Sequence, residues 1–347
     1  MKTKKKDVPY CGVDEYKIQN ASPEIDTEAF CELVKMVKDR YRIHVRKDVL
    51  QRSKPWTKNP IMQQYKFTNV RREHDRQSRY LIDNISHNPD LTLEDKIVNS
   101  FLFRAWNNWD TVRDFGLPAS AVELYDPAYK ESVRPIYKQL SEESPGRLWW
   151  SSAYNQGGTK SAWKFPAGDG YQRALAEAKA KKYSDWEPDI PLRPFHIAVW
   201  LKEKNIVEKL LNAKDQQECF EVIRSVRGFA DFLAYQVFVD LTYIPEFPFS
   251  ENEFTIAGPG CKRGLNILFK DRAGLTYEEC LFWLRDSWDT LVGDMGIKWN
   301  PDKLFMDLPE YDRCMNVMSL ENCFCEFSKY MRAKTGAGRP RVKYKGV

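Results

Sequence analysis

Histidine is scarce in this sequence, with four copies at positions 44, 74, 87 and 196 among 347 residues. The eight cysteines, at 11, 31, 219, 261, 280, 314, 323 and 325, are scattered, and the one close grouping, "CMNVMSLENCFC", has no matching pair elsewhere. These numbers leave too few ligands for a closed zinc site and imply no disulfide framework. No apolar run reaches the length of a membrane span, which predicts a soluble chain with no membrane partner. Scattered thiols without an apolar signal segment point to a reducing cytoplasm. P-loop spacing, a dinucleotide fingerprint and a nucleophile elbow are all missing, which argues against ATP hydrolysis or a kinase reaction by this chain alone. No internal repeat or low-complexity segment is present.

What is present is an ordinary globular balance, 42% apolar and 30% charged, long enough for one large core or two packed lobes. Tryptophan stands out with 11 copies, a surplus that serves a thick core, a stacking surface, or both. The net charge of +5 is modest, so attraction to nucleic acid has to come from clustering. Clusters occur at "MKTKKKD" and at "AKTGAGRPRVKYKGV", where Arg339 and Arg341 have no acidic neighbours. Such tails are solvated, or they contact phosphate in a salt-dependent way.

The periodicity is mostly helical. "DTEAFCELVKMVKDRYRIHVRKDVL" spaces Phe30, Leu33, Val34 and Val37 by three and four, predicting an amphipathic helix from Asp26 or Thr27. Thr68 or Asn69 is placed to cap a second, basic helix, "RREHDRQSRYLIDNI", and Thr92 with Asp95 to form a capping box for a third. These three helices make a first lobe, residues 23–145, after a basic tail, 1–22. Residues 146–194 read as an irregular connection rich in Gly, Pro and aromatics, with a short strand or hairpin and the short helix "QRALAEAKAKK". A second helical lobe spans 195–333 and a basic tail 334–347.

In "SVRGFADFLAYQVFVDL" two apolar stripes flank Gly228-Phe229-Ala230, so the stretch reads as helix, tight hairpin, helix. An ordinary αα-hairpin accounts for it. The sharper reading is that the hairpin's outward amides hold a DNA phosphate. Downstream, Gly258-Pro259-Gly260 lets the backbone approach a ligand, with Lys262 and Arg263 beside it, and a turn with solvated charges is the alternative. Arg72 and Arg76, taken as one helical turn apart, are placed to grip a phosphate, while Asp75 to Arg79 is a favourable pair four residues apart. On "CEFSKYMR", Glu326, Lys329 and Arg332 share a face, either as a salt-bridge ladder or as an acid beside two cations. In "FRAWNNWDT", Asn107 and Asn108 are costly inside a helix unless their amides find partners in a wet core or on a substrate.

"VRGFADFLA" resembles the helix-hairpin-helix of DNA base-excision glycosylases, with Gly228 and Ala234 matching and Arg227 and Ala230 departing from that pattern. The series "YKFTNVRREHDR", "FLFRAWNNWDT", "SSAYNQGGTK", "GFADFLAYQVFVDL", "GPGCKRGL" and "CEFSKYMRAKTGAGRPRVKY" is similar to a narrower group. This group is the α-glutamyl/putrescinyl thymine pyrophosphorylases, related to the helical domain linked with hydroxymethyluracil DNA kinases. The likeness covers about residues 60 to 345.

The resemblance implies a mainly α, bilobal, glycosylase-like fold with a helix-hairpin-helix. It implies a phage enzyme of thymine hypermodification, working in the host cytoplasm on double-stranded DNA. Its activity would be to let an amine or amino acid displace phosphate or pyrophosphate from activated 5-hydroxymethyl-deoxyuridine, after a DNA kinase acting upstream. A base-cleaving glycosylase and a non-catalytic DNA-binding partner of such a kinase are the competing readings. The glycosylase carboxylate position falls on Glu251 or Glu253, so Glu253 or Glu326 becomes the base. Arg263 and Lys329 join them in catalysis, and Arg72, Arg76, Arg104, Lys262 and Arg332 face the leaving phosphate. Asn69, Asp75, Asn107 and Asn108 are expected to contact base or substrate. Gly228, Phe229, Ala230, Gly258, Gly260, Arg339 and Arg341 are expected to contact DNA. No cofactor is implied, and scattered carboxylates are compatible with Mg²⁺ held mostly by water.

Overall fold

A computed structural model describes residues 12–151 and 189–338, with Tyr311 described by its backbone alone. Residues 152–188 of the expected connection, with all of "SSAYNQGGTK" after Ser151 and the expected helix "QRALAEAKAKK", and Arg339 and Arg341 lie outside the described residues.

The chain is mainly helical. Helices α1 (Glu15–Asn20), α2 (Thr27–His44) and α3 (Pro60–Gln64) come first. Then follow α4 (Arg76–Leu81), α5 (Leu93–Trp106), α6 (Trp109–Asp114), α7 (Ala121–Leu124), α8 (Pro127–Glu143), α9 (Phe195–Glu203), α10 (Ile206–Leu211), α11 (Gln216–Ser225) and α12 (Asp231–Thr242). The last are α13 (Pro259–Leu268), α14 (Tyr277–Asp294), α15 (Pro301–Leu304) and α16 (Val317–Thr335). Among the described residues the one sheet pairs β1 (Glu24–Ile25) antiparallel with β2 (Phe269–Asp271), Ile25 opposite Phe269.

Local chemistry sets the helix starts. The Asp26 side chain accepts the Ala29 amide at the head of α2, and Thr92 and Asp95 form the expected capping box of α5. The second expected helix is corrected. Residues 72–74 form a single 3₁₀ turn and α4 begins only at Arg76, because Asp75 has extended backbone and spends its carboxylate on the Asn69 amide at 2.9 Å. Asp75 and Arg79 therefore do not form a helical pair.

The chain clusters into two compact units, one from residues 76–250 with 1–6 and one from 7–75 with 251–347. The linear division into lobes 23–145 and 195–333 gives way to this nested one. The second unit is built on α2, whose apolar stripe of Phe30, Leu33, Val34 and Val37 is wholly buried in a core shared with Leu265, Phe282, Leu320 and Phe324. Helix α2 thus joins the C-terminal helices instead of α5. The first unit has an aromatic core in which Trp106 packs on Phe115 and Phe195, and Phe101 on Phe229.

Gly260 and Gly264 carry the packing of α13 on α16. A Cβ on Gly264 would stand 2.2 Å from the Phe324 carbonyl oxygen and one on Gly260 2.4 Å from the Cys325 sulfur. The expectation that Gly260 admits a DNA backbone is corrected here: the space it leaves is filled by α16.

Candidate functional site

In the second unit, the segment 68–75 is fixed between α2 and α16. The buried Arg40 guanidinium donates to the carbonyls of Thr68 (2.8 Å) and Asn69 (2.8 Å) and to the Cys323 sulfur at 3.4 Å. From α16, the Asn322 amide donates to the Asn69 carbonyl at 2.7 Å. With its carbonyl held twice, Asn69 turns its own N–H to Asp75 and its side-chain amide to the His74 carbonyl. Buried polar groups satisfied in this way fix one geometry.

The segment brings Asp75 within electrostatic reach of Glu326 of α16, and Arg72 within reach of both Asp75 and Glu321 of α16. Burial pushes the Asp75 carboxyl up to about 6, opposed by the Asn69 amide and by Arg72 and Arg40, and reinforced by the neighbouring Glu326 charge. Burial pushes Glu321 up to about 7, against Arg72 and the Gly258 amide, which donates to Glu321 Oε1 at 3.3 Å. Glu326 is buried and accepts from Lys329 Nζ at 2.7 Å, and that ammonium also stands 4.7 Å from the Phe67 ring centroid. The cluster therefore contains two carboxyls that titrate near neutrality, one ion-paired carboxylate, and the cations Arg72 and Lys329. Such an arrangement can take a proton from an incoming nucleophile and meet negative charge on a leaving group.

Of the residues expected at the site, Asn69, Arg72, Asp75, Glu326 and Lys329 are brought together. Lys262 and Arg263 are exposed on α13, with Lys262 5.4 Å from the Tyr277 ring and Arg263 within the electrostatic reach of Cys325. Arg332 follows Lys329 by one turn and donates to the Ser328 carbonyl at 3.4 Å. Glu253 lies half-exposed in the turn before α13, while Glu251 takes Arg71 at 3.4 Å and Asn316 at 3.0 Å.

Several expectations are corrected. Arg104 does not face a phosphate: it is buried in the first unit, with Nε on Asp240 at 2.6 Å, Nη2 on the other Asp240 oxygen, and Nη1 on Asn107 at 2.7 Å. Asn107 and Asn108 are helix boundaries. Asn107 closes α5 in the left-handed region at φ +47°, and Asn108 caps α6 through the Asp110 amide. Arg72 and Arg76 share no helix and belong to different units, and Arg76 instead stands over Trp109 at 4.7 Å. Gly258 meets an anion, but the anion is the protein's own Glu321.

The stretch 225–241 forms a helix, turn and helix, with Gly228 at φ +91°. Phe229 is corrected as a DNA contact, since its ring is buried on Phe101 and its amide is spent on the Val226 carbonyl at 3.0 Å. Ala230 precedes α12 without a side-chain cap, and the exposed Asp231, 3.1 Å from Arg224, already places an acid at that helix start.

Two groups of metal-ligand type occur among the described residues, His44, His74 and Asp307, and Glu73, Glu251 and Asp312. The His44 and His74 rings are stacked at 3.9 Å and 12°, so their lone pairs run side by side and one ion cannot lie in both ring planes. The carboxylate trio surrounds the buried Arg71 guanidinium, which supplies the compensating charge. Seven described cysteines are free thiols.

The geometry was legible only in part. Arg40, Glu321 and Asn322 were missed. A signal existed for Arg40, which follows Val37 by three residues and so falls in phase with the apolar stripe of α2. For Glu321 none did.

A family model described as "5-hmdU DNA kinase, helical domain" matches residues 27–339. The chain belongs to this family. Its relation to the helical domain of hydroxymethyluracil DNA kinases, expected from the motif series, holds over residues 27–339. A curated relative, the 5-hmdU DNA kinase of Bacillus phage SP10, is 25% identical over 304 residues, covering 84% of this chain and 43% of the relative. The helical-domain chain thus spans less than half the length of that relative. No solved structure matches it. No described helix is long and apolar enough to cross a membrane.

Proposed function

We propose that this helical-domain protein acts on 5-hydroxymethyluracil in DNA as a transferase. An amine or amino acid replaces a phosphate or pyrophosphate carried on the hydroxymethyl oxygen. The nucleophile's nitrogen attacks the exocyclic methylene carbon, the C–O bond to the leaving group breaks as the C–N bond forms, and the ammonium proton passes to a carboxylate. Asp75 and Glu321 are the bases, Arg72 and Lys329 meet the leaving charge, and Glu326 orients Lys329. Arg263, Lys262 and Arg332 extend the positive rim on the same unit, and the backbone at Gly228 and Ala230 is assigned to DNA. The observation that carries this reading is the pair of carboxyls at about 6 and about 7 beside Arg72. A base with a pKa near the working pH combines the correct ionisation with useful basicity. The base must leave the stack to reach such a cluster, as in other enzymes that react on a base.

A second reading is favoured by the match to a family model described as the helical domain of a kinase, in a sequence without P-loop spacing: the chain presents the modified base to a separate kinase. One experiment separates them. The purified chain is incubated with DNA bearing phosphorylated or pyrophosphorylated hydroxymethyluracil and a panel of amines, then digested to nucleosides for mass spectrometry. An added amine mass is expected, an abasic site would mean glycosylase action, and an unchanged nucleoside would favour the presenting role. Mg²⁺ dependence is read by repeating the reaction in chelator.

A further inference from the structure

The segment that follows α2 carries a concentration of charge that the carboxylate cluster does not use. Residues 46–58, "RKDVLQRSKPWTK", contain five Lys or Arg and one Asp, a net +4 (five minus one) against +5 for the whole chain. The segment folds back on itself. Arg46 Nη1 donates to the Trp56 carbonyl at 2.6 Å, and Trp56 Nε1 donates to the Arg52 carbonyl at 2.6 Å. The ammonium groups of Lys47 and Lys54 stand 6.0 and 5.3 Å from the Trp56 ring centroid.

This fold-back borders an open cleft of about 200 Å³ lined by Arg42, Arg46, Lys58, Trp56 and Asp39, three cations to one acid. Asp39 lies 3.8 Å from Arg42, whose side chain remains 54% exposed, and the three cations of the lining outnumber this one acid. Lys38, on the same helix, has its ammonium lowered first by burial and next by Arg42, with Asp39 opposing.

We propose that this cleft seats a backbone phosphate of a DNA strand and that Trp56 stacks on an adjoining base. The inference rests on the reading of the chain as one that works on DNA. Guanidinium groups suit phosphate oxygens, Arg46 is held in place by the Trp56 carbonyl, and a tryptophan ring beside them can stack on a base. Lys47, Arg52 and Lys54 continue the positive charge beyond the cleft. That extension fits a polymer with repeating phosphates better than a single small anion.

The test is fluorescence anisotropy of the full chain with labelled, unmodified single-stranded and duplex oligonucleotides over a range of salt. The variants are Arg42→Glu with Lys58→Glu, Trp56→Ala and Trp56→Phe. Charge reversal of the two exposed cations is expected to weaken binding about tenfold or more and to lower the slope of log affinity against log salt by about 1.5. Trp56→Ala should weaken single-strand binding about fivefold or more, and Trp56→Phe should restore most of it. Thermal melting checks that each variant is folded. Affinity and slope unchanged within about twofold in all variants would overturn the proposal. So would variants that keep DNA binding and lose binding to anionic phospholipid vesicles instead. Unmodified DNA separates this test from the transferase assay: a chain that binds through Arg42, Lys58 and Trp56 but transfers no amine overturns the transferase reading alone.

Discussion

Asp75 and Glu321 hold their protons toward neutrality because burial outweighs the help that Arg72 gives their charged forms. Two consequences can be measured. As bases they must be ionised, so transfer should rise with pH through about 6 to about 7, and Glu321→Gln should remove the upper part of that rise in a pH–rate profile. The stability consequence has the opposite sign. Between the ordinary glutamate range and about 7, the unfolded chain has lost the Glu321 proton while the folded chain keeps it. Stability therefore falls as pH rises through that window, and at pH about 8 Glu321→Gln should melt higher relative to the parent than it does at pH about 5. Glutamine retains an acceptor for the Gly258 amide, which isolates the charge. In the first unit, Arg104→Ala should strand the Asp240 carboxylate in the core and cost about 3–5 kcal/mol in a urea titration. A phosphate-facing arginine would show no such loss.

At the scale of elements, the "GPGCKRG" stretch shows how one glycine pattern serves two purposes. Its spacing suggests a ligand turn, yet Gly260 and Gly264 lie one turn apart on α13 and meet Cys325 and Phe324 of α16. Gly264→Ala should cost about 3 kcal/mol or more, because the obstructing atom is a backbone carbonyl that cannot move aside. Gly293 in α14 is the control: nothing lies within 4 Å of its added Cβ, so Gly293→Ala should gain about 0.5–1 kcal/mol. Thermal denaturation of the two variants reads both signs. The same packing presents Glu321, Glu326 and Lys329 of α16 to the 68–75 segment, so loss at Gly264 should also reduce activity.

At the scale of the whole molecule, the nesting of the units makes an experimental prediction. Residues 76–250 are a contiguous stretch with their own aromatic core, whereas the second unit needs both 7–75 and 251–347. Expressed alone, residues 76–250 should unfold cooperatively, while residues 7–75 alone should lack the far-ultraviolet helix signal of α2. Circular dichroism of the two fragments checks this. Caps and apolar periods act over a few residues, and they sufficed to specify the mainly helical class, the starts of α2 and α5, and the segments that feed the site. The sequence also contained Asn69, Arg72, Asp75, Glu326 and Lys329, without saying that they meet. Long-range packing put Arg104 on Asp240 and Phe229 in the core, set Arg40 and Asn322 on the Asn69 carbonyl, and brought Glu321 within reach of Arg72. Those outcomes depend on burial and on partners up to 283 residues away in the chain. No local pattern encodes such separations, because the free energy that selects them comes from packing the assembled unit.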